Sequence, residues 1–217
     1  MNEWTDIPSA VNTRGAKRMK ASIFGLLCML ACSTAMADGD PVAGKSKSLI
    51  CSGCHARDGN SKNPTYPILA GQGQGYLTKQ LMDYKSGARK EDHMSPIVEA
   101  VSIEDIKDIA AYFSIQQRSQ GAAPSQASEL GKQMFHHGNS AGSVSACAGC
   151  HAEDGKGNTA LKFPSLAGQH SDYVAKTLKA FRSAARSNDK QAVMRNIAAN
   201  LGDKDIAALA SYIASMR

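Results

Sequence analysis

The chain has 217 residues, 42% of them hydrophobic and 20% charged, and a formal net charge of +6. These proportions exclude a disordered acidic tail, and no apolar run approaches the roughly 20 residues that a membrane-spanning helix needs. Basic residues are dispersed and aromatics make up only 6%, which excludes a dedicated nucleic-acid binder.

The N-terminus reads as an address. Met19-Lys20 gives a basic start, residues 21–31 are apolar, and Ala35 and Ala37 occupy the two positions a signal peptidase reads. Cleavage is predicted before Asp38, with Met19 the better initiator and residues 1–18 an extended leader. Cys28 and Cys32 are lost with the leader. A lipoprotein would acylate Cys32, but Leu30 is bulky where such sites take a small residue. The leader carries four basic and two acidic residues, so the exported chain keeps a net charge of +4 and is expected in a bacterial periplasm.

In chain order, a first helix is predicted from near Pro41 into Cys51-Ser-Gly-Cys54-His55. A long loop follows, carrying Pro67 and Leu69-Ala-Gly-Gln72. Its Gly-Gln-Gly-Gln-Gly run at 71–75 has no strand before it, so it is not a phosphate loop. A second helix is expected from about Tyr76 to Ser86. A third shows Ile106, Ile109, Ala110 and Phe113 at i, i+3, i+4 and i+7, with Ser102 as N-cap and Glu104 and Asp105 in its first turn. Residues 116–128 are polar and small, with Pro and Gly, as a linker would be.

The pattern then repeats. A helix from near Ser128 leads to Cys147-Ala-Gly-Cys150-His151, and about nine extra residues lie between them, around 136–144. Leu166-Ala-Gly-Gln169 matches Leu69-Ala-Gly-Gln72, a helix is expected from about Tyr173 to Ser187, and Ile206, Leu209, Ala210 and Ile213 repeat the apolar stripe. The fold class is therefore all-α, built from two similar domains at 38–119 and 129–217 joined by a linker at 120–128. Residues 38–121 hold ten basic and ten acidic residues, whereas 122–217 hold eleven and seven. The net-positive second half suggests docking of an acidic partner, with Lys176 and Lys179 as candidate docking residues.

The chemistry lies in Cys-x-x-Cys-His, present twice. Two thiols three residues apart on one turn can add to both vinyl groups of one porphyrin edge, and the next histidine can then ligate the iron. Other readings fit less well. A thioredoxin-like pair lacks its βαβ setting, a zinc site would need its ligands gathered in one tetrahedron, and a structural disulfide leaves the repeated histidine unexplained. The predicted cofactors are two covalently attached haem c groups, held by Cys51, Cys54 and His55 and by Cys147, Cys150 and His151.

A low-spin electron carrier needs a second axial ligand, usually Met or His. Met94 precedes Tyr112 by 18 residues, and Met194 precedes Tyr212 by 18. Met82 aligns with Lys179, and Met134 and Met216 have no partner, so the repeat singles out Met94 and Met194. His93 aligns with Val193, and His136, His137 and His170 have no counterparts in the first half; all four read as surface or supporting residues, with His93, beside Met94, placed to tune the haem of its half. Pro67 and Pro164 follow the two histidines by 12 and 13 residues, which suggests a backbone carbonyl orienting each imidazole. Tyr76 and Tyr173 recur and would pack on haem edges or fill the core.

Across residues 40–217 the sequence resembles the dihaem class I cytochromes of the cytochrome c4 family. The resemblance rests on the two Cys-x-x-Cys-His-Ala-x-Asp-Gly segments, on residues 66–72 and 163–169, and on residues 108–113 and 208–213. It implies two cytochrome c domains related by a pseudo-twofold, His55/Met94 and His151/Met194 ligation, and an electron carrier with no catalytic residues. It also implies a bc-type complex as donor and a membrane-bound haem–copper terminal oxidase as acceptor, with peripheral membrane association compatible with both. Two other classes remain open: a dihaem redox enzyme, and the cytochrome subunit of a sulfide- or thiosulfate-oxidising enzyme.

Overall fold

The computed structural model describes residues 39–119, 127–139 and 143–217. The predicted leader and residues 120–126 of the predicted linker lie outside them. The described residues are helical with no strand; the one β-bridge joins Asn158 to Phe163.

The two halves use the same parts in the same order. In the first, α1 (Pro41–Lys47) starts at Asp40, whose side chain accepts from the Val42 N–H at 2.8 Å, with Pro41 at a position that needs no donor. A 3-10 turn, Ser48–Cys51, leads directly into α2 (Ser52–His55). Then come α3 (Gln74–Lys85), α4 (Met94–Glu99) and α5 (Ile103–Ser114). In the second half the same roles fall to α6 (Glu129–His137), α7 (Ala148–His151), α8 (Ser171–Arg182), α9 (Val193–Ala198) and α10 (Asp203–Ser215). Ser102 caps α5 as predicted, accepting from the Asp105 N–H at 3.0 Å, and Ser128 caps α6 by accepting from the Gly131 N–H.

Each half is organised around the crossing of its first and last helices. A Cβ at Gly44 would collide with the Asp108 carbonyl on α5, and one at Gly131 with the Ala208 carbonyl on α10. Glycine at this one position lets two backbones touch. The apolar stripes predicted for α5 and α10 are buried, and each belongs to a separate core: Ile106, Ile109, Ala110 and Phe113 in one, Ile206, Leu209, Ala210 and Ile213 in the other.

Two expectations need correction. The helix predicted to reach Ser187 stops at Arg182, because Ala184 turns to φ +59° and its N–H returns to the Phe181 carbonyl. The equivalent residue in the first half is Gly87, at φ +77°. The short helices α4 and α9 were not anticipated. The extra residues of the second half fall between α6 and α7, where Asn139 accepts from the Ser143 and Val144 N–H groups and Val144 plugs into the core.

Candidate functional site

The haem motif occupies one helical turn in each half. That turn puts Cys51 and Cys54, or Cys147 and Cys150, on one side and leaves the histidine at its end, where His55 is 4% exposed and His151 8%. None of the four thiols is in a disulfide. Burial, more than the neighbouring thiol, pushes Cys51 up to about 11, and burial does the same to Cys147.

Both imidazoles are oriented alike. His55 Nδ1 lies 2.9 Å from the Pro67 carbonyl, and His151 Nδ1 lies 2.9 Å from the Pro164 carbonyl. A carbonyl can only accept, so Nδ1 carries the proton and Nε2 presents its lone pair. Burial lowers both imidazole pKa values, against the opposing effect of the carbonyl, and so favours the neutral ring that a metal requires. The proline carbonyl expected from the spacing is therefore the partner found.

The rest of each motif builds the loop that carries this carbonyl. Directly after each histidine the chain takes an unusual turn: Ala56 has φ 62° and ψ 165°, and Ala152 has φ 64° and ψ 157°. That region favours glycine and costs of order 1–3 kcal/mol for other residues. Asp58 and Asp154 then accept from the Asn60 and Lys156 N–H groups. The Gly59 carbonyl takes the Leu69 and Ala70 N–H groups, and the Gly155 carbonyl takes those of Leu166 and Ala167. The repeated Ala-x-Asp-Gly and Leu-Ala-Gly are thus the two sides of one clasp around the histidine.

Met94 is the first residue of α4 and Met194 the second of α9. Met94 and Cys51 pack against the first core, and Met194 and Cys147 against the second. Glu91 accepts from the Met94 and His93 N–H groups at 3.2 and 3.0 Å, which fixes the start of α4. The other methionines differ in setting. Met134 and Met216 are buried within the second core, at 2% and 9% exposure, while Met82 lies on α3 against the first. The unmatched histidines support rather than converge. His136 Nδ1 donates to Glu153 and its Nε2 bonds the Tyr212 hydroxyl, and His170 Nε2 bonds the Ser61 carbonyl of the other half.

The role of the repeated glutamines was not foreseen. Gln72 crosses to the second half, where its Nε2 donates to the Ser165 carbonyl at 2.9 Å and its Oε1 accepts from the Ser165 N–H at 2.8 Å. Gln169 returns the same pair of bonds to Ile68, at 3.0 and 2.9 Å. Both pairs are buried, and they bind together the two loops whose proline carbonyls hold the histidines. Lys176, expected as a docking residue, also reaches Glu91 of the first half at 2.7 Å. Both lysines are exposed, the Lys176 side chain at 60%.

Each half therefore offers two free thiols, a neutral imidazole with an open Nε2 and a methionine at the edge of the same apolar core, a donor set that fits covalently held haem with a soft sixth ligand. The arrangement is that of a dihaem c-type cytochrome. The cytochrome c family model matches residues 128–217. Cytochrome c4 from Azotobacter vinelandii is 44% identical over 204 residues, covering 89% of this chain and 97% of that one. Cytochrome c4 from Pseudomonas aeruginosa is 46% identical over 180 residues, covering 82% and 90%. The crystal structure of reduced recombinant cytochrome c4 from Pseudomonas stutzeri superposes with a TM-score of 0.79 at 44% identity, covering 82% of this chain and all of that one. The chain belongs to the cytochrome c4 family: it carries two covalent haem c groups and transfers electrons, and it is a carrier rather than an enzyme.

Proposed function

We propose that the chain is a periplasmic shuttle that takes electrons from a bc-type complex and delivers them to a membrane-bound haem–copper oxidase, with His55 and Met94 as axial ligands in the first domain (38–119) and His151 and Met194 in the second (129–217). The observation that carries the ligand assignment is the equivalence of the two halves: an imidazole fixed through Nδ1 by a proline carbonyl, and a methionine opening a short helix against the same core as the first cysteine. Bound, each haem supplies reversible one-electron exchange at its iron. The residues do the rest. The proline carbonyls hold the imidazoles at one rotation, a thioether favours the ferrous state and raises the potential, and the apolar cores exclude water. The predicted leader supports the periplasmic location, and no described helix is long and apolar enough to cross a membrane.

The test is direct. Met94→Ala and Met194→Ala should each open one site to carbon monoxide and abolish the far-red charge-transfer band of one ferric haem. The reduced parent protein should be oxidised by membranes containing a haem–copper oxidase, more slowly as salt rises. Variants that leave the spectrum unchanged would refute the ligand assignment. Membranes that fail to oxidise the protein would refute the acceptor.

A further inference from the structure

Each crossing glutamine grips the same peptide unit that holds a histidine of the other half. The Pro67–Ile68 peptide accepts at its carbonyl from His55 Nδ1 at 2.9 Å, and its N–H donates to Gln169 Oε1 at 2.9 Å. The Pro164–Ser165 peptide does the same: its carbonyl accepts from His151 Nδ1 at 2.9 Å, and its N–H donates to Gln72 Oε1 at 2.8 Å. Each glutamine Nε2 then donates to the following carbonyl, that of Ile68 at 3.0 Å or of Ser165 at 2.9 Å. That return bond fixes the amide, because a flipped side chain would set donor against donor. Gln72, Gln169, Ile68 and Ser165 are all buried, as are both histidines, so water does not compete for these groups.

A peptide unit is planar and delocalised, so its two ends are not independent. An acceptor on the N–H pushes electron density toward the carbonyl oxygen, and bonds linked in such a chain strengthen one another by about 10–30% each. A stronger bond at the carbonyl draws the Nδ1 proton further from the ring. Nε2 becomes more basic, and a more basic imidazole favours ferric iron. A mere fastener could grip any backbone group of the facing loop. Both glutamines instead grip the peptide that orients the histidine, and the repeat applies the same choice in both directions.

We propose that Gln169 is a positioning residue for His55 and Gln72 for His151, each setting the donor strength of the imidazole in the opposite half through one peptide unit. The inference rests on the axial-ligand reading above. It gives the two glutamines a redox role beside their hold on the seam: each half lowers the reduction potential of the other.

The test uses the haem-loaded protein with isotope-labelled histidine. Haem content and carbon monoxide reactivity of the parent, measured first, check the ligand reading separately, so its failure would show before any variant is compared. In the ferrous protein the Nδ1–H resonances of His55 and His151 are assigned by NMR. Following each through a redox titration attaches one midpoint to each ring. Gln169→Met should move the His55 resonance upfield and leave that of His151 in place. It should also raise the first midpoint by about threefold in the ferrous-to-ferric ratio, about 28 mV at 59 mV per tenfold for a one-electron couple. Gln72→Met should do the same to His151 alone. Gln169→Glu and Gln72→Glu keep an acceptor of the same reach, so the rise should be absent or reversed. Met variants that keep both haems yet move neither ring, or move the ring of their own half, would overturn the proposal, as would a rise that persists in the Glu variants. If the Met variants do not accumulate, the Glu variants decide by the same resonances. A carboxyl oxygen accepts with a different strength from an amide oxygen, so the ring of the opposite half must shift and the ring of the same half must not; any other pattern overturns the proposal.

Discussion

Replacing Gln169 with Met keeps the length of the side chain and removes only its amide. In the native seam that amide satisfies the Ile68 N–H and carbonyl, and its Oε1 also takes the His170 N–H. Ile68 is 1% exposed, so water cannot simply replace the lost partner. Three buried backbone groups left unsatisfied, at about 1–3 kcal/mol each, amount to about 3–9 kcal/mol. The repeat makes the test symmetrical, because Gln72 gives Ser165 the same pair of bonds and its Oε1 also takes the Gly73 N–H. Gln72→Met should therefore cost about as much. Guanidinium unfolding of the haem-loaded protein, followed by Soret absorbance and far-ultraviolet circular dichroism, reads both. If the seam opens as a unit, the double variant loses less than the sum of the singles. Two single variants that both stay within about 0.5 kcal/mol of the parent, the range of an ordinary surface change, would refute the claim that these amides hold the halves together.

Other outcomes follow from the same geometry. Gly44→Ala and Gly131→Ala each force a Cβ onto a facing carbonyl and should destabilise by about 1–3 kcal/mol in chemical unfolding, with similar values in the two halves. Ala56→Gly and Ala152→Gly relieve a positive φ and should stabilise by roughly 1 kcal/mol, read as a higher denaturant midpoint. Asp189 is 6% exposed; although burial opposes it, the backbone and side chain of Arg195 hold its carboxyl below the usual carboxylate range. A depressed folded pKa stabilises above the unfolded value and is lost as pH falls through the folded one. Asp189→Asn should therefore lower stability at pH 7, and the gap to the parent should close on acidification below about pH 4.

Much of this was legible in the sequence because it is local or repeated. The stripes of α5 and α10 follow a 3.6-residue period, the Ser102 cap stands where its helix begins, and Cys-x-x-Cys-His specifies its own helical turn. Pro67 and Pro164 could be read because the same spacing occurs twice. The seam could not be read this way. Gln72 and Ser165 are 93 residues apart, and no periodicity reports on a side chain whose partner is the backbone of the other half. The repeat marked Gln72 and Gln169 as matched but not as partners. Short α4 and α9 offer too few turns for an apolar stripe, and Pro96 near the start of α4 obscures it further. The early end of α8 did leave a trace, since aligning Gly87 with Ala184 places a glycine-favoring turn there. The pairing of Lys176 with Glu91 was not legible either, because charge counts locate a cation in a half, not its partner across the seam.

The central claim is that both irons are closed by a protein ligand and exchange only electrons. The most direct measurement is the absorption spectrum of the dithionite-reduced protein with and without carbon monoxide. The account predicts no change at either haem, because Met94 and Met194 are the proposed sixth ligands. Rapid binding of carbon monoxide at one haem would contradict it, showing an open site and removing the methionine of that half as a ligand.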